Sequence, residues 1–72
     1  MTKEEIQNEI AELLATVKKN NAIIDELMSY GASWALDCRE MQIAESNLHH
    51  ARIRIFELKE ELIKYFQEEL IS

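Results

Sequence analysis

The sequence predicts an all-α antiparallel helical hairpin with a long second helix, assembling into a helical homo-oligomer. Three observations predict it. Glycine occurs once and proline never in 72 residues, which excludes a loop-rich fold and most sheet proteins. Apolar residues recur at alternating steps of three and four along the chain, the signature of amphipathic helices. The apolar surface of the second half is also wider than one partner helix covers.

The chain is read as one domain, residues 1–72. The first helix runs from about residue 3 to 30. Thr2 followed by Glu5 is a capping-box pattern: the hydroxyl accepts from the third helical amide, and the carboxylate reaches back to the cap amide. Ile6, Ile10, Leu13, Leu14, Val17, Ile24, Leu27 and Met28 then lay one stripe along a rod about 40 Å long. Gly31 is the natural stop, because glycine alone takes a left-handed backbone without cost. Residues 31–33 make the turn, with Ser33 as the next cap and Asp37 in the favourable first turn.

The second helix runs from about residue 34 to 71. Met41, Ala44, Leu48, Ala51, Ile55, Leu58, Leu62 and Tyr65 keep the alternation of a coiled-coil seam over about three heptads. So short a connection forces the two rods antiparallel. Phe56, Ile63, Phe66 and Leu70 lie beside the seam and widen the apolar arc beyond about 100°. A lone hairpin leaves that arc bare, which points to self-association. The competing architecture is a compact three-helix monomer broken near His49 and His50, where no breaker residue stands.

Composition narrows the function. The net charge is −6, which disfavours DNA or RNA polymers as partners. The single cysteine, Cys38, admits no internal disulfide and reads as a packed thiol. No apolar run exceeds four residues, so no membrane span is expected. The start Met-Thr-Lys-Glu-Glu does not resemble a signal peptide, and the expected location is the cytoplasm of a host cell. His49 and His50 point about 100° apart on a helix and do not chelate one metal. A hairpin offers no deep, dry pocket within one chain, so no enzyme, metal or cofactor is expected.

Charge is unevenly placed. Glu4, Glu5, Glu9 and Glu12 crowd the start of the first helix, and Glu57, Glu60, Glu61, Glu68 and Glu69 the end of the second. An antiparallel hairpin makes these one acidic end. Pairing positions whose numbers sum to about 65 brings Lys18, Lys19, Asn20, Asn21, His49, His50, Arg52 and Arg54 to one level, though not to one face. Such a waist suits a small anion, with the planar arginine forks matched to phosphate. Arg52 and Arg54 have a plainer use, pairing with Glu45, Glu57 or Glu60 on a solvated face. Asn20 falls on the seam, where a buried amide sets register or holds a ligand. Tyr30 and Trp34 flank the turn, placed to stack on a base or to cap the helix pair.

The stretch Cys38-Arg39-Glu40-Met41-Gln42-Ile43-Ala44-Glu45-Ser46-Asn47-Leu48-His49-His50-Ala51 resembles the second-helix segment of small helical phage proteins that act as sponges for cyclic oligonucleotide signals and so blunt bacterial CBASS defence. The shared pattern is Arg-Glu followed by Ala44, Leu48 and Ala51, after a lysine-containing first helix. The resemblance implies a homo-oligomer with ligand pockets between protomers, phosphates held by basic side chains and bases stacked on aromatics. It carries Arg39 across as a ligand residue, with Lys18 or Lys19 as the analogue of a first-helix lysine.

The expected function is therefore non-catalytic capture of a cyclic di- or trinucleotide at a subunit interface. Arg39, Arg52, Arg54, His49, Lys18 and Lys19 would supply charge, and Tyr30 and Trp34 stacking. Charging His49 or His50 at mildly acid pH would strengthen capture. Two rivals stand beside it. One is an acidic inhibitor that mimics nucleic acid against a host defence protein. The other is a purely structural coiled-coil assembly piece.

Overall fold

The computed structural model describes residues 1–31 and 38–71. Its two helices are α1, Lys3–Met28, and α2, Arg39–Ile71. They pack against each other as an antiparallel hairpin. The predicted Ser33 cap, Trp34 and Asp37 lie outside the described residues.

Local chemistry sets the ends of α1. Thr2 is extended, and its hydroxyl oxygen accepts from the Glu5 amide at 3.1 Å. Only that half of the capping box forms. The Glu5 carboxylate accepts instead from the Thr2 hydroxyl at 3.2 Å. At the other end Ser29 caps the helix, and its amide returns to the last carbonyls, including that of Asp25 at 3.2 Å. Gly31 then takes φ +127°, the one positive φ among the described residues. A side chain there would meet no neighbour but would strain the backbone.

The α2 seam packs as the periodicity predicts. Met41, Ala44, Leu48, Ala51, Ile55 and Leu58 are all buried, while Leu62 and Tyr65 are half-buried. Facing them, Ile6 is fully buried and Ile10, Leu13, Val17, Ile24 and Leu27 partly so. Leu14 and Met28, placed on the same stripe by spacing alone, are instead about half exposed. They sit on the flank of α1 rather than on its contact line.

Pairs along the rods fix the register. Met41 and Cys38 pack on Ile24 and Leu27 near the tip. Asn20 meets Asn47 at the waist. Glu9 meets Arg54, and Lys3 meets Glu69 at the open end. The Tyr65 hydroxyl donates to the Met1 carbonyl. The position numbers of these pairs sum to between 63 and 72, around the value set by a turn at Gly31. α2 runs unbroken through His49 and His50, which removes the three-helix alternative. No described helix is long and apolar enough to cross a membrane.

Candidate functional site

Asn20 is the buried polar residue of the seam, 4% exposed. Its Nδ2 donates to the Thr16 carbonyl at 2.8 Å, and its Oδ1 accepts from Asn47 Nδ2 at 3.3 Å. No buried side-chain polar atom among the described residues lacks a partner. The amide is thus spent inside the hairpin. It borders a hollow of about 180 Å³ closed by Ile23, Ile43 and Ala44, with Glu40 on its rim.

Beside the tip, the Cys38 thiol donates to Glu40 Oε2 at 2.7 Å. That bond, aided by the backbone amide of Glu40 and less by the charge of Arg39, holds the carboxyl below its ordinary range.

The cations of the waist divide between two flanks. Arg52 and Arg54 are two positions apart, so they point about 200° apart around α2. Arg54 turns to one side, where Nε donates to Glu9 Oε1 at 3.1 Å and Nη1 lies 3.9 Å from Glu57. The Glu9 carboxylate raises the pKa of that guanidinium above its ordinary value. Arg54 therefore realises the plain ion-pair alternative, with Glu9 as a partner from the other helix.

Arg52 turns to the opposite flank and has no ion pair among the described residues. There it lines a groove of about 370 Å³ with Leu14, Val17, Ile55, Phe56 and Lys59, within the size range of small-molecule sites. Arg52, Phe56 and Lys59 stand at i, i+4 and i+7, one above another on a helix. The two cations are thus separated by about 10 Å along the axis, with an aromatic ring between them. Lys59 also has no ion pair among the described residues.

Among the described residues, none of the other expected ligand residues lines this groove. Lys18, Lys19, His49 and His50 are exposed and share the level of the waist. The two imidazoles have centroids 5.9 Å apart and planes tilted by 55°. Arg39 is exposed at the start of α2, about 15 Å along the axis from His49. Tyr30 is exposed beyond the end of α1, also towards the tip. Within one chain, Arg39 and Tyr30 do not join the groove. Among the described residues no three His, Cys, Asp or Glu side chains converge as metal ligands.

Lys59 was not among the residues expected from the sequence. Its signal was nonetheless present: a cation seven positions after Arg52, with Phe56 between, on one face of the helix. Comparison of the chain with protein-family models, curated proteins and solved structures finds no match.

Proposed function

We propose that this chain works by binding rather than catalysis, as a helical homo-oligomer that captures a cyclic di- or trinucleotide where copies meet, as phage anti-defence sponges do. One observation carries the reading: the groove pairs an apolar floor and the Phe56 ring with two cations, Arg52 and Lys59, that no described carboxylate neutralises. A ligand negative at two points with a flat apolar body between them satisfies both. An arginine fork engages a phosphate with two parallel bonds, and the ring face accepts a base. Arg39, His49, Lys18, Lys19 and Tyr30, which do not line the groove, would reach such a ligand from another copy or from the rim.

Calorimetry against a panel of cyclic di- and trinucleotides tests this. Heat is expected with at least one of them. Arg52→Ala should weaken binding about 10- to 100-fold, the worth of one charge-assisted bonding group, with the helices intact. Added salt should weaken it further, since the groove is open to solvent. No heat from any nucleotide, with protein well above micromolar, overturns the reading. The acidic end, where the Lys3–Glu69 bridge joins the carboxylate-rich stretches, would then favour a nucleic-acid mimic acting on a host protein. In that case charge reversal at Glu57, Glu60 and Glu61 abolishes function.

A further inference from the structure

The flank that holds the groove continues as an apolar stripe well past it. Along α2 the stripe comprises Arg52, Phe56, Lys59, Ile63, Phe66 and Leu70, all on one side of the seam. Phe56, Ile63 and Leu70 are 63%, 54% and 87% exposed. Phe66 is partly covered by Lys3, whose Nζ sits 4.5 Å from the ring centroid. Leu14 of α1, half exposed, extends the stripe across the hairpin. None of these positions is acidic.

The amount of surface points to what covers it. The hairpin exposes 5523 Å², whereas a compact chain of this mass exposes roughly 4,700 Å². The excess, roughly 800 Å², is the share one partner contributes to a stable interface of standard size. The broad face of the rod is 55 Å by 16 Å, large enough to hold an interface of that size.

The pattern points to which partner. A two-fold interface must be complementary to itself. The stripe advances by steps of four, three, four, three and four, which read the same in both directions about position 61. We propose that a second copy of this chain covers the stripe, its α2 running antiparallel to the first about a two-fold axis near residue 61. Phe56 then meets Phe66 of the second copy, and the Lys59 stem meets Ile63 of the second copy. Arg52 comes to the level of Leu70 of the second copy, at the margin of the interface. The interface rests on the self-association in the function proposed above but not on nucleotide capture.

Light scattering on the full chain, with cysteine pairing, tests it. The expected mass is twice the 8.5 kDa of one chain, or a higher even multiple. In a Cys38→Ser background, Lys59→Cys mixed with Ile63→Cys should form a disulfide-linked heterodimer on mild oxidation. Ile53→Cys, which points away from α1, should not. Ile63→Glu changes an exposed side chain of the hairpin and should lower the mass to one chain. A helical single-chain particle at tens of micromolar overturns the proposal and leaves the stripe to a membrane surface or another protein. So does an odd multiple, or cross-linking at Ile53 instead. If Ile63→Glu also unfolds the chain, the cross-link in the folded background decides. A dimer with these contacts but no nucleotide heat removes capture and keeps the interface.

Discussion

Asn20 is the residue that says most about how the hairpin is specified. A leucine at that seam position would bury more apolar surface. The amide instead donates to Thr16 and accepts from Asn47. Sliding α2 by one residue would bring Ser46 or Leu48 opposite and strand the Asn20 carbonyl, at about 1–3 kcal/mol for a buried unmet polar group. The pair therefore selects one register at some cost in stability, as single seam amides do in coiled coils. Asn20→Leu should raise the urea midpoint, because the exposed Asn47 is re-hydrated at little cost. It should also loosen the register, read as extra backbone amide resonances in a two-dimensional NMR spectrum. A lowered midpoint would show that the amide pair contributes net stability.

At the scale of the element, α2 is the spine of the molecule. Leu58 is fully buried, whereas Leu62, one turn on, is half-buried. Leu58→Ala should cost about 2–5 kcal/mol, the range for truncating a buried leucine, and Leu62→Ala less. Urea denaturation followed by circular dichroism would rank the two, and the reverse order would move the main contact of the helices towards the open end. The α2 seam was legible from periodicity alone, because each buried position follows from the 3.6-residue turn and needs no knowledge of α1. The register was legible from the place of Gly31 and the antiparallel rule. The flank on which each cation falls was not. Spacing alone puts Arg52 and Arg54 on opposite sides of α2, but not which side meets a carboxylate: Glu9 pairs with Arg54, while Leu14 and Val17 frame Arg52. That division depends on where α1 crosses, a property of the pair of rods. Lys59 was obscured in the same way, lying among Glu57, Glu60 and Glu61, which point to other sides of α2.

The whole molecule is long and thin. Its radius of gyration is 16.4 Å, against roughly 11 Å for a compact chain of this length. Among the described residues only Ile6 and Leu58 of the large side chains are fully buried, so a single hairpin has little core with which to offset the entropy of ordering two helices. Covering the stripe with a second copy, as proposed, would supply what is missing and would link folding to association. Linkage makes a definite thermal prediction. A tenfold rise in concentration adds about 1.4 kcal/mol per mole of dimer, which for an assembly of this size raises the melting temperature by about 3–6 °C. Circular dichroism melts at ~5 and ~50 μM bracket that interval around a typical affinity. Ile63→Glu should flatten the dependence and lower both melting points, because it removes the association step while leaving the seam of the hairpin intact. A wild-type melting temperature that does not move with concentration would mean that the thin hairpin core is sufficient alone. The bare stripe would then be a surface kept for something other than a second copy.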